Sequence, residues 1–189
     1  MRTLSLLFIP LLCAPVWARP VLKTSQAYRE RGIQEQSAKH YQLAVEDFSA
    51  AIKLNPKEGQ NYRGRAISYQ SLSTESYPLP GSPNEAQRKK KSRKYLDLSL
   101  ADANQGCLLA PRAWSSPFLR GMIYTDIAVA DNSPKMGNLA VVNFTRAIQL
   151  APNEPLPYAQ RAATYRWMNQ VKLAEADEKK ALSLQKPGK

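Results

Sequence analysis

The chain repeats itself, and that constrains its fold more than any other feature of the sequence. Three segments close alike: AVEDFSAAIKLNP at 44–56, SLADANQGCLLAP at 99–111 and AVVNFTRAIQLAP at 140–152. A fourth, AEADEKKALSLQK at 174–186, keeps the alanine spacing and has Pro187 one place late. A shared pattern precedes each: Tyr28, Arg31 and Gly32; Tyr62, Arg65, Ala66 and Tyr69; Arg120, Gly121 and Tyr124; Tyr158, Arg161, Ala162 and Tyr165. Small residues recur where two helices would cross closely, and aromatics recur where a neighbouring unit would leave a hollow. The prolines follow each apolar periodic stretch, where a missing N–H and a restricted preceding residue end a helix.

These residues resemble the tetratricopeptide repeat (TPR), a 34-residue helix–turn–helix unit. Counting places from residue 25, the first unit supplies Tyr28, Gly32, Tyr41, Ala44, Phe48, Ala51 and Pro56 at the places the family favours. The second supplies Tyr62, Ala66, Tyr69 and Pro111 and departs at Ser99, Ala103 and Gly106. The third supplies Gly121, Tyr124, Ala140, Phe144, Ala147 and Pro152, with Pro117 for the first aromatic. The fourth supplies Tyr158, Ala162, Tyr165, Ala174 and Ala181. The resemblance implies an all-α solenoid of about four units: 25–58, 59–113, 114–154 and 155–186. Place 24 runs Phe48, Ala103, Phe144 and Glu178, turning polar where no further unit would cover it.

Two units are stretched. Place 1 to place 32 takes 32 residues in the first and fourth units, 53 in the second and 39 in the third, so 21 and 7 residues are inserted. The seven, around Asp131, Asn132, Ser133 and Pro134, read as loop. The longer insertion (73–94) opens on STESYPLPG at 73–81, which is turn-rich and read as mobile. Then Ser82, Pro83 and Glu85 read as a capping box, predicting a long second helix from near Pro83 to about Leu109. Its first turns carry Arg88, Lys89, Lys90, Lys91, Arg93 and Lys94 against Glu85, six charges minus one, or +5.

Residues 1–18, MRTLSLLFIPLLCAPVWA, have the three parts of a secretory signal: Arg2, an apolar stretch from Leu4 to Val16, and a Val16-Trp17-Ala18 cleavage-like site. The expectation is export to a periplasm or the exterior, with no membrane anchor once the signal is removed. Loss of Arg2 lowers the formal charge from +12 to +11, and loss of Cys13 leaves Cys107 without an intramolecular partner.

Catalytic classes find little support. One histidine, His40, read as a solvated turn residue, excludes most zinc sites and His-based triads. The sequence has no phosphate-cradling glycine loop, no HExxH and no GxSxG. Cys107 reads as a buried structural thiol, and the recurring arginines Arg31, Arg65, Arg120 and Arg161 read mainly as structural. The chain is therefore expected to be non-catalytic, without cofactor or metal.

The resemblance implies binding instead. In this family the first helix of each unit lines a concave groove, and places 2, 5, 9, 12 and 13 face it. Carried over by position, these are Gln26, Arg29, Ile33, Gln36 and Ser37, then Gln60, Arg63, Ile67, Gln70 and Ser71. The later units turn apolar, with Phe118, Met122, Leu156, Ala159, Ala163 and Trp167. Such a groove suits a protein or peptide segment with an acidic end. The family's carboxylate clamp is matched only at Arg29, since Ile33, Gly64, Ser115 and Leu119 stand at its other positions. The alternative is an envelope or membrane-surface protein that binds anionic lipid or polymer through residues 88–94. Nucleic acid is disfavoured because the basic run lacks interleaved aromatics.

Overall fold

A computed structural model describes residues 19–185, so the signal-like segment 1–18 lies outside the described residues. Eight helices occupy the described chain, with no strand among them. They are α1 (Ser25–Ser37), α2 (Tyr41–Leu54), α3 (Gly59–Ser76), α4 (Glu85–Leu109), α5 (Ser115–Asp131), α6 (Pro134–Leu150), α7 (Pro155–Trp167) and α8 (Val171–Gln185). They pair as four helix–turn–helix units, in phase with the sequence repeat. The odd-numbered helices touch one another along the array, whereas the even-numbered ones do not, so the first helices form the inner layer.

The small residues set how closely the layers approach. Ala44, Ala51, Ala66, Ser99, Ala140, Ala147, Ala162 and Ala174 are all buried. Phe48 and Phe144 fill the gaps between units and are almost wholly buried. A Cβ built on Gly64 would lie 2.3 Å from the Phe48 ring, and one on Gly121 would lie 2.7 Å from Phe144. The second unit departs from the pattern for a visible reason. The Ser99 hydroxyl donates to the Ala66 carbonyl at 2.7 Å, and Ala103 joins one cluster with Leu96, Leu119, Ile123 and Ile127 in place of a ring.

One arginine per unit ties its two helices together, and in the second, third and fourth units it also reaches a third. Arg31, Arg65 and Arg161 each grip an aspartate of their own second helix bidentately: Asp47, Asp102 and Asp177. In the third unit Arg120 donates instead to Asn143 Oδ1 at 2.6 Å. A further nitrogen of the guanidinium reaches back to the preceding unit's second helix, at Ser49 for Arg65, Asn104 for Arg120 and Thr145 for Arg161. Among the described residues no unit precedes the first, and there Arg31 donates to the Pro20 carbonyl while Arg19 also bonds Asp47. The aspartates raise the pKa of Arg31, Arg65 and Arg161 through these hydrogen bonds.

The insertions correct the sequence reading in two places. The seven extra residues of the third unit are not loop. α5 and α6 each have 17 residues against 13 in α1 and 14 in α2, about one added turn apiece, and only Asn132 and Ser133 link them. Asn132 closes α5 in the left-handed region (φ 47°), as Lys39 and Asn169 do at the turns of the first and fourth units. In the second unit, α3 has 18 residues against 13 and α4 has 25 against 14, leaving residues 77–84 as loop. Residues 73–76 therefore belong to α3. The expected capping box does not form either. Helix α4 starts at Glu85 from a left-handed Asn84, and the Glu85 carboxylate accepts the Gly81 N–H at 3.0 Å.

The glycines give a stability test with opposite signs. Gly64→Ala must displace the Phe48 ring and should cost about 1–3 kcal/mol. A Cβ on Gly106, inside α4, meets nothing nearer than 3.8 Å, so Gly106→Ala should stabilise by about 0.5–1 kcal/mol through helix propensity. Thermal melts of the two variants check both signs.

Candidate functional site

The inner layer brings the first two sets of groove positions to one place. Arg29, Ile33 and Gln36 of α1 and Gln60, Arg63 and Ile67 of α3 line a hollow of about 110 Å³, floored by Phe48 and Gly64. Ile33 and Ile67 are 50% and 39% exposed, a large apolar offering for inner-layer positions. Around them the cations are loosely held. Arg29 approaches Glu58 only at 3.8 Å, and Arg63 donates to the neutral Ser115 hydroxyl at 2.7 Å. Two guanidiniums over an apolar floor can take a carboxylate and the aliphatic group beside it.

The glutamines do something else. Gln36 donates to the Gly64 carbonyl at 2.8 Å and to the Ser68 hydroxyl at 2.9 Å, joining α1 to α3. Gln70, one unit later, donates to Asp126 Oδ2 at 2.6 Å, joining α3 to α5. Thr125, at the same place in the third unit, bonds the Thr164 hydroxyl at 3.1 Å and joins α5 to α7. Place 12 is thus an inter-unit staple, and its side chains are already engaged. Gln26 bonds Glu30 on its own helix, while Gln60 is exposed. Phe118 packs against Trp114 and Phe144, so part of its ring serves the core, and Met122 is half-buried.

The basic run is partly neutralised. Arg88 donates to the carbonyls of Glu75, Ser76 and Tyr77 at 3.3–3.4 Å, closing the end of α3. Lys89 pairs with Glu85 at 2.6 Å, and Arg93 pairs with Asp97 at 3.0 Å and also with Asp131. Lys90, Lys91 and Lys94 project into solvent, with the Lys91 ammonium 6.0 Å from the Tyr95 ring centroid. His40 lies at the exposed turn before α2 and bonds Glu35 at 2.9 Å. Cys107 is half-buried, and that burial raises its thiol pKa. Among the described residues no group of three His, Cys, Asp or Glu gathers at metal distance, and no helix is long and apolar enough to cross a membrane.

No family model and no curated protein matches the sequence. Solved structures do. The TPR domain of Arabidopsis OM64 superposes with a TM-score of 0.57 at 17% identity, covering 75% of this chain and 94% of that one. A MamA RS-1 double mutant gives 0.61 at 16%, covering 85% and 75%. The first TPR of Spaghetti (RPAP3), bound to the HSP90 peptide SRMEEVD, gives 0.51 at 16%, covering 81% and 92%. The chain has the tetratricopeptide-repeat fold. At these identities a TPR likeness speaks for the fold alone, so the groove has to be read from this chain's own residues.

Sequence reasoning missed one residue of the inner layer, Asp126. It is place 13 of the third unit once the insertions are counted, a place that in the first two units holds serine. Burial pushes its carboxyl above the usual range, partly offset by the Gln70 hydrogen bond. A carboxyl raised in the folded state costs stability when ionised. That cost is absent below its unfolded pKa of about 3.9 and grows as pH rises through the folded value. Asp126→Asn should therefore melt higher than the parent chain at neutral pH, with the gain vanishing below about pH 4. Paired melts across that range measure it.

Proposed function

We propose that this chain is an exported, non-catalytic scaffold that holds a protein or peptide segment with an acidic end along its inner layer. The observation that carries this reading is the hollow between α1 and α3. It sets Arg29 and Arg63, neither held by a close acid, beside Ile33, Ile67 and Phe48. A structural neighbour of the same fold was solved with an acidic peptide, which supports a segment as the class of occupant. The apolar continuation at Phe118, Met122 and Leu156 offers the rest of that segment a greasy path. Export rests on the composition of residues 1–18. A lipid- or polymer-binding role for residues 88–94 is weakened because Arg88, Lys89 and Arg93 are engaged within the chain.

The double change Arg29→Glu and Arg63→Glu should abolish partner capture while leaving the helical signal and melting temperature close to those of the parent. Capture is compared from envelope extract at about 50 and about 300 mM salt, where the Debye length falls from roughly 14 to 6 Å. A partner held at high salt and lost in the double variant supports the reading. Undiminished capture by the double variant overturns it. Capture confined to low salt and lost on changing Lys90, Lys91 and Lys94 to Gln would shift the function to the basic helix.

A further inference from the structure

The insertions build a second concavity away from the hollow between α1 and α3. The residues added to the ends of α3 and α5, together with the loop at 77–84 and one face of α4, enclose about 380 Å³. Its walls include Tyr77, Pro78 and Leu79 from the loop, Leu96 from α4 and Val129 from α5, and Asp126 supplies the carboxylate. Tyr77, Leu79 and Val129 are large apolar side chains left exposed, and all three converge here. The volume falls in the range of small-molecule sites, roughly 300–1,000 Å³.

We propose that this cleft binds a small ligand that joins an apolar body to an ammonium group, with the ammonium on Asp126. The charge arrangement selects that class. Asp126 receives one hydrogen bond, from the neutral Gln70 amide, and no cation pairs with it among the described residues. A carboxylate facing an apolar cavity without a counter-ion is poorly solvated, as its raised pKa registers, and an incoming cation restores what burial removed. An anionic ligand would meet the opposite. The adjoining hollow, which shares Tyr77, Ser92 and Ala130, carries Lys89, Lys90 and Arg93. Glu85, Asp97 and Asp131 neutralise two of these three, leaving little net repulsion toward a cation and little attraction for an anion.

The test uses 2-phenylethylamine and its neutral counterpart 2-phenylethanol, titrated calorimetrically into the parent chain and into Asp126→Asn. Saturable amine binding, weaker by at least ten-fold for both the alcohol and the variant, is the expected result. Equal affinity for amine and alcohol, equal affinity in parent and variant, or no saturation up to about 10 mM amine would overturn it. The amine–alcohol comparison stands on the parent chain alone, whatever the variant's stability. N-acetyl-lysine methylamide serves as a third probe. Binding as tight as the free amine would assign the carboxylate to a partner's lysine and overturn the small-ligand assignment.

Discussion

Each junction of this array depends on one guanidinium. The planar fork of arginine can satisfy a carboxylate with two parallel N–H groups and still direct another elsewhere. For Arg65 and Arg161 the carboxylate belongs to the same unit's second helix and the other acceptor to the second helix before it. Arg120 makes the same two connections to the amide oxygens of Asn143 and Asn104. Asp47 is only 1% exposed. An aspartate so buried is tolerable only because its partners are fixed, and removing one partner of such a pair typically costs about 3–5 kcal/mol. Because donor and acceptors span three helices, the bond fixes angle as well as spacing. The apolar contacts of Phe48 and Phe144 then fill a gap whose width is already set. In the first unit the same need is met by residues 19 and 20, with a side chain and a carbonyl.

Much of this was legible. Alanine and glycine at fixed spacing, aromatics between them and proline after them all report contacts inside one unit or between neighbours. A period in the sequence translates directly into a period in space for such contacts. The arginines were legible as structural, but the acid each would grip was not obvious in the second unit. Arg31 and Asp47 lie 16 residues apart, as do Arg161 and Asp177, whereas Arg65 and Asp102 lie 37 apart because the insertion falls between them. Place alone puts Gln36 and Gln70 in the groove, because it cannot tell a side chain aimed at a ligand from one aimed at the next helix. Gln36 and Gln70 are long enough to reach that helix, and its carbonyl or carboxylate is the nearer acceptor.

The insertions were misread for a different reason. Asn, Ser, Pro and Gly favour turns locally, but a segment of seven can also be spent as two helical turns, one on each side of a hairpin. Whole turns keep every side chain on its former face, so the core is undisturbed and the helices simply project further. Local composition at Asn132 and Ser133 marked the turn correctly and concealed the helix on either side of it. In the second unit the eleven residues added to α4 are close to three turns, which again preserves phase.

Projection past the neighbouring units has a consequence that the regular repeat lacks. The ends of α3 and α5 extend beyond the shorter α1 and α7, and a cleft opens between them against the loop at 77–84 and one face of α4. The staple at place 12 changes character at this junction. Between α1 and α3 it joins a glutamine to a carbonyl and a hydroxyl, and between α3 and α5 it joins a glutamine to a carboxylate. A neutral amide can orient a carboxylate without discharging it. The junction that the insertions lengthened is therefore the one that keeps an unbalanced negative charge, in a chain whose overall formal charge is +12. Packing alone would favour an amide or hydroxyl at Asp126, like the serines at the equivalent places, so the charge asks for a role outside the fold.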